Sequence, residues 1–278
     1  MDLQESTELK GGSGRYRADL EPSWGGLAGA PAGGYLAALA LRAAGRESGL
    51  PRPVSIHCHF LQVPRSGAEV QLEVQTLRAT KRTAALRVTM AQAGQPMLEA
   101  LAWTAADELP GYDFAAHAPA HAARPEDWQS IEGRTVQPLP DCMQYIETRW
   151  DHADPATPGA HAEPYTHAWH RFRPRDVYGD AFVDAARLVV LADLRAFGPV
   201  AYYANVAPSQ VPYFAPNMDL TVQFCRPSGQ SRWLFGAARA LAAAQGTIAT
   251  RIDLWSESGE PLALASSTLF CRPNPFRS

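Results

Sequence analysis

The sequence predicts an α+β fold built twice in tandem, and three observations carry that expectation. An Ala/Leu-rich helical stretch at 35–44 is followed by four strand-like runs with no helix between them, which argues for an antiparallel meander and against a parallel βαβ sheet. The same order, a helix and then four strands, returns after residue 180. Short signatures also recur at spacings that differ by a single position. His59-Phe60 and Gln223-Phe224 open the first strand after each helix, while Gly94-Gln95-Pro96-Met97 and Gly259-Glu260-Pro261-Leu262 introduce the last. Such matched spacing marks an internal duplication. It sets expected boundaries of 1–107 for the first unit, 108–140 for a linker and 141–278 for the second unit.

Taken in order, 14–20 reads as a short strand and Trp24 to Tyr35 as a glycine-rich approach to the first helix, which Gly45 and Gly49 are expected to end. Strands follow at 54–63, 68–79, 83–93 and 97–106. In the third, Leu86, Val88 and Met90 alternate with Ala85, Arg87 and Thr89, the period of a half-buried strand. Composition then shifts to Ala, Pro and polar residues over 108–140, as in a linker crossing the surface. His117 and His121 lie four apart within it, but Pro119 separates them and no acid or cysteine is close, so no metal site is expected. Further strands are read at 143–151 and 165–173, a second helix at 180–197, and an aromatic, proline-bearing loop at 198–216. Four strands, 219–226, 232–243, 247–256 and 261–271, close the chain.

The second helix carries one residue of the wrong kind. Phe182, Ala186, Val189, Asp193 and Phe197 share a face at 3.6 residues per turn, so Asp193 sits in an apolar row. A carboxylate there finds partners, shifts its pKa upward or does chemistry, because burying an unpaired charge costs several kcal/mol. The plainer alternative is that Asp193 lies at the stripe's edge and reaches water.

Composition excludes several classes of function. Hydrophobic residues make up 46% of the 278, ample for a globular core. A net charge of −3 with no dense Lys or Arg run leaves no nucleic-acid footprint. No window approaches 18 uninterrupted apolar residues, so no membrane association is expected, and the polar N-terminal stretch favours a cytoplasmic protein. Cys58, Cys142, Cys225 and Cys271 form no C-x-x-C pair, which suits reduced thiols better than disulfides or zinc. There is no G-x-S-x-G nucleophile elbow, and no Walker or G-x-G-x-x-G motif, so neither a serine hydrolase nor a nucleotide cofactor is indicated.

Several motifs resemble the bacterial acyl-CoA thioesterase II family, whose fold is a double hotdog: two units, each a long helix cradled by a curled antiparallel sheet. Ser55-Ile-His57-Cys-His-Phe60-Leu61-Gln-Val-Pro64 is similar to that family's Ser-x-His-x-x-Phe-Leu-x-Pro strand, and Val74-Gln-Thr-Leu77-Arg78 to its Val-x-x-Leu-Arg strand. Pro31-Ala-Gly33-Gly34-Tyr35 resembles its Pro-x-Gly-Gly approach to the first helix. Asp219-Leu-Thr-Val-Gln-Phe224-Cys-Arg226-Pro227 resembles its Asp-His-x-x-x-Phe-x-Arg-Pro strand, with Leu220 where His is usual.

The resemblance implies hydrolysis of acyl-CoA to fatty acid and CoA, no cofactor, CoA recognised as part of the substrate, and a homo-oligomer. It also implies a site made of a helix Asp, a Thr or Ser two residues before the Asp-His pair, and a Gln near the end of the last strand. Asp193 matches the first position and Asn217 stands at the second. Aligning on Arg272 puts Ser267 at the third, whereas aligning on 265–268 puts Leu269 there. Asp193 is then expected to activate water as general base, with Asn217 and Ser267 orienting that water; direct attack by Asp193 is the competing route. Backbone N–H groups at Gly33 and Gly34 can either face the acyl carbonyl or serve only close helix packing. His57 can donate to substrate, hold the glycine-rich turn or be a satisfied strand residue. Tyr35, with Trp24, Phe60, Tyr202, Tyr203, Tyr213 and Phe214, is a candidate for the acyl lining. Asp219 is read as a turn or strand-end acceptor. Two other readings fit the fold: an acyl-thioester hydratase or dehydratase in which His57 and Asp193 share the acid and base work, and an acyl-CoA-binding protein with weak turnover.

Overall fold

The structure, a computed structural model, describes residues 1–26, 29–116, 124–132, 139–150, 164–203 and 212–274. A one-turn helix α1 (Leu3–Ser6) and a hairpin of β1 (Lys10–Gly12) and β2 (Arg15–Asp19) precede helix α2 (Gly33–Ser48). Strands β3 (Arg52–Phe60), β4 (Glu69–Ala79), β5 (Thr83–Gln92) and β6 (Gln95–Ala105) follow. Next come β7 (Gln129–Ser130), β8 (Ile146–Trp150), β9 (Tyr165–Phe172), helix α3 (Ala181–Arg195) and a short α4 (Gly198–Tyr203). The chain closes with β10 (Tyr213–Phe214), β11 (Asp219–Phe224), β12 (Trp233–Ala244), β13 (Thr247–Ser256), β14 (Pro261–Phe270) and β15 (Arg272–Pro273).

Among the described residues thirteen strands form one antiparallel sheet in the order β1-β2-β4-β5-β6-β3-β11-β14-β13-β12-β9-β8-β7. The two halves join edge to edge at β3 and β11, where His57 lies opposite Thr221 and Ser55 opposite Gln223. That seam gives two edges their hydrogen-bonding partners. Both helices lie on one face. Alternation along β5 buries Leu86, Val88 and Met90 completely, as the sequence pattern predicts, and α2 packs against β3, β4, β5 and β6.

The helices run antiparallel to each other, and glycines on α2 set their separation. At Gly34 an added Cβ would lie 2.7 Å from the Val190 Cα and 2.8 Å from the Asp193 Cβ. At Gly45 it would lie 2.5 Å from the Phe182 ring. Gly45 therefore does not end the helix as expected; it is an interior position where close approach outweighs the roughly 1 kcal/mol propensity cost of glycine. The stop comes at Gly49, which adopts φ 63° and donates its N–H to the Gly45 carbonyl at 3.3 Å. Helix α3 starts on Asp180, whose carboxylate accepts from the N–H groups of Phe182 at 2.8 Å and Val183 at 3.1 Å.

Part of the segment read as a linker is built into the fold. Strand β7 extends the sheet, and Trp128 packs with Trp169, Trp233, Phe235 and Ala237 in a second apolar cluster, on the face of β9 and β12 turned away from the main core. Beside it the guanidinium groups of Arg149 and Arg171 lie 4.9 Å from the Trp233 ring centroid. Glu147 joins Arg149, Arg171 and Arg173. Burial would raise its carboxyl, but hydrogen bonds from Arg173, Arg171 and Arg149 outweigh that and pull it down to about 2. Helix α4 occupies the start of the 198–216 segment read as a loop, because Gly198–Tyr203 continues from α3 and packs on β9 and β12. His117 and His121 lie outside the described residues.

Candidate active site

The two helices meet at their opposite ends, and Asp193 occupies the crossing next to the first turn of α2. The apolar stripe of α3 is thus the surface that faces α2, with Ala186 and Val189 fully buried along it. Burial raises the Asp193 carboxyl above the ordinary carboxylate range, while the Gly34 N–H and the Asn217 amide pull it partly back. Gly33 keeps the carboxylate approachable: a Cβ there would stand 2.6 Å from Asp193 Oδ1 and 3.2 Å from the tip of Phe60.

Asn217 precedes β11 and donates its amide N–H to Asp193 Oδ1, and at 3.3 Å to the Asp193 carbonyl. Its own oxygen lies 3.0 Å from the Ser267 hydroxyl on β14. That hydroxyl is also 2.6 Å from the Asp219 carbonyl, so its single proton is shared between two acceptors. Ser267 is 3% exposed, and its hydroxyl meets Asn217 and Asp219. Ser267 is linked to Asp193 through the Asn217 amide. Leu269, the other alignment candidate, is fully buried and bridges the Asn217 backbone.

Three further candidates have defined partners. The Gly34 N–H donates to the Asp193 carboxylate. Tyr35 is fully buried; it stacks on Trp24 at 5.7 Å, donates to the Ser6 carbonyl at 2.7 Å and accepts from the Glu21 N–H at 3.2 Å. It is a post for the N-terminal segment, and core packing has taken the place of acyl lining. His57 points to the face of β3 opposite Ile56 and Cys58, both fully buried. Its ring nitrogens meet Thr221 Oγ1 at 2.5 Å and His59 Nε2 at 3.0 Å across the seam, so no His57–Asp193 pair is formed. Tyr203 and Tyr213 are mostly exposed. Phe60 stays beside Gly33, and Phe214 packs edge-on to Phe197 at 6.2 Å.

Two cysteines that the sequence reading left as structural thiols lie within the field of Asp193. Burial, and then the Asp193 charge, push the Cys58 thiol up and the Cys142 thiol up to about 12. Both are thiols, not thiolates, at neutral pH, and make poor nucleophiles. Cys142 is tied to the approach to α2 by its N–H, which donates to the Gly25 carbonyl at 2.9 Å. Only its position in sequence, far from any motif, hid that proximity. Among the described residues no group of three His, Cys, Asp or Glu side chains is placed to hold a metal ion, and no helix is long and apolar enough to cross a membrane.

Comparison with known proteins agrees with this architecture. A conserved protein of unknown function with a hot dog fold from Alicyclobacillus acidocaldarius superposes with a TM-score of 0.82 at 21% identity, covering 97% of each chain. A putative thioesterase II from Thermobifida fusca gives 0.81 at 21% identity over 98% of each chain. The acyl-CoA thioesterase II TesB2 from Mycobacterium marinum gives 0.78 at 18% identity, covering 98% of this chain and 99% of that one. The fold is therefore the double hotdog. No curated protein sequence matches the chain. Residues 20–105 match the acyl-CoA thioesterase N-terminal domain and residues 115–270 the acyl-CoA thioesterase C-terminal domain. With both domains matched in order along most of its length, the chain belongs to the acyl-CoA thioesterase family.

Proposed function

We propose that this acyl-CoA thioester hydrolase works through Asp193 as a general base, with Asn217 as the group that orients its carboxylate. One observation carries the proposal: a carboxylate raised by burial is held at a helix crossing by an amide and a first-turn N–H, with a glycine left open beside it. A raised pKa brings the acid closer to neutrality and makes it a stronger proton acceptor than an exposed aspartate. Asp193 takes a proton from a bound water as that water's oxygen attacks the thioester carbonyl. The tetrahedral intermediate collapses, the C–S bond breaks, and the departing CoA sulfur receives the proton from Asp193. Fatty acid and CoA leave, and the carboxylate is restored.

The Asn217 amide fixes the orientation of the carboxylate through Oδ1, and the isotope experiment below separates the water route from attack by Asp193 itself. A hydratase reading draws no support from the His57 contacts, which go to Thr221 and His59. Acyl-CoAs of graded chain length, assayed for free thiol, test the proposal together with a single turnover in ¹⁸O-water. Label confined to the fatty acid supports the general base, and label in Asp193 would show the covalent route. Binding without thiol release would overturn hydrolysis altogether. A cytoplasmic setting is part of the same proposal, supported by four free cysteines. So is self-association, supported by the resemblance of the motifs to a hotdog family; light scattering tests it.

A further inference from the structure

Asn217 reaches Asp193 because the strand pair beside it is irregular. Strands β11 and β14 are in register from Phe224 opposite Ala263 to Thr221 opposite Ser266, after which Asn217 bridges Leu269. One more residue lies between Asn217 and Thr221 than between Ser266 and Leu269, so the β11 side carries a β-bulge. Leu220 and Val222 are fully buried beneath the helices, which places Thr221 and Gln223 on the other face. Strict alternation would put Asn217 on that other face as well, away from α3. Its amide instead bonds the α3 carboxylate. The bulge has turned the side chain inward.

Asp219 is the residue that closes the bulge. Its carboxylate accepts the Thr268 N–H at 2.8 Å, and its carbonyl accepts the Ser267 hydroxyl at 2.6 Å. Met218, beside it, donates its N–H to the Thr268 carbonyl at 2.8 Å and accepts the Phe60 N–H at 2.9 Å. A backbone donor that the bulge would otherwise leave without a ladder partner is thus taken by a side chain. We propose that Asp219 is a positioning residue for thioester hydrolysis: it clamps the bulge that aims Asn217 at Asp193, and so sets the protonation of a base it does not touch. This inference rests on the general-base reading of Asp193.

The test compares Asp219→Ala, Asp219→Asn, Asn217→Ala and the double Asn217→Ala/Asp219→Ala variant. Loss of the Asn217 amide removes a group that favours ionised Asp193, so the rising limb of the kcat/KM–pH profile moves to higher pH in Asn217→Ala. Asp219→Ala should move the limb in the same direction and lower kcat about tenfold, the loss expected of one positioned hydrogen bond. Asp219→Asn, which keeps an oxygen to accept the Thr268 N–H, should recover most of that activity. The double variant should be no worse than Asn217→Ala, because both act through one contact. An unmoved pH limb in Asp219→Ala, or additive losses in the double variant, would overturn the proposal, as would a lowered melting temperature unaccompanied by the pH shift. The Asn217 side-chain amide resonance in ¹⁵N–¹H spectra provides a readout independent of turnover. It should titrate with Asp193 in the wild type and lose that titration in Asp219→Ala. If Asp193→Asn still releases CoA, the general base fails, while this resonance continues to report whether Asp219 aims Asn217.

Discussion

Replacing Gly34 by alanine perturbs the helix crossing at its tightest point. The new methyl would sit 2.7 Å from the Val190 Cα, 2.8 Å from the Asp193 Cβ and 3.1 Å from the Val189 carbonyl oxygen. Carbon atoms pack at about 3.5–4.0 Å, so relief requires α2 and α3 to part by roughly 1 Å. Neither Val190 Cα nor Val189 O belongs to a movable side chain, and overpacking of this kind costs about 1–3 kcal/mol. In a chain of this size that corresponds to a fall in melting temperature of roughly 3–10 °C. The same separation draws the Gly34 N–H away from the Asp193 carboxylate, and a misplacement near 1 Å can reduce turnover about 100-fold. The control is Gly45→Ala, whose methyl runs first into the Phe182 ring at the far end of the helix pair; it should lose stability and keep kcat/KM within about threefold, since it leaves the positioned groups in place. Calorimetry and a thiol-release assay on both variants decide the matter. Wild-type kcat/KM in a destabilised Gly34→Ala protein would show that Asp193 does not depend on the first turn of α2. An unchanged melting temperature would show that the helices are not packed this closely.

Other outcomes follow from the charges. Asp193→Asn should reduce CoA release by about 10²–10⁴-fold, the span of general-base catalysis. It should also raise the melting temperature at neutral pH. The folded-state pKa of Asp193 lies above its unfolded value, so its contribution is full below the unfolded pKa and is lost as pH rises through the folded one. A melting temperature that falls at pH 7 would contradict this sign. For wild-type enzyme, the acid limb of kcat/KM against pH should therefore lie above the ordinary aspartate range, and a limb near an unperturbed value would remove Asp193 as the base. Glu147→Gln carries the opposite sign. A carboxyl pulled down to about 2 supports the fold above its unfolded pKa and loses that support as pH falls toward 2. With Arg149, Arg171 and Arg173 part-exposed at 27%, 35% and 40%, the substitution should cost about 1–3 kcal/mol at pH 7, less than for a fully buried pair, measured by urea unfolding.

Periodicity made the long elements legible. Alternation in β5 and the stripe of α3 are direct consequences of burial on one side, and both can be read residue by residue. The glycines were not legible in the same way. Gly45 reads as a helix stop because glycine weakens helices, yet the neighbour that requires it, Phe182, lies across the helix pair and is invisible in a linear chain. Trp128 sits in a Pro-rich stretch whose composition suggests a surface strap; only the aromatic face of β9 and β12 gives it a place to pack. At the site, Asp193 stood out by its apolar company, while Asn217 was located by motif position alone. Its inward aim depends on a bulge, and a bulge reverses alternation without leaving a sequence mark. The orientation of His57 has the converse lesson: strand parity against the buried Ile56 and Cys58 assigns it to the face away from the helices, whereas motif position points toward the site.

The contact of Gly45 with Phe182 bears on how many substrates one chain can process. Counted from their first residues, α2 and α3 correspond position by position: Gly34 matches Phe182, and Gly45 matches Asp193. Duplication would thus offer a reaction centre at each end of the helix pair, and the two ends have diverged in complementary ways. One combines the small residue with the acid. At the other the small residue sits where the acid would be, and a benzene ring occupies the gap. With the reaction centre proposed at Asp193 and the matching position at the other end filled by the Phe182 ring, the stoichiometry expected for a non-hydrolysable acyl-CoA analogue is one per polypeptide.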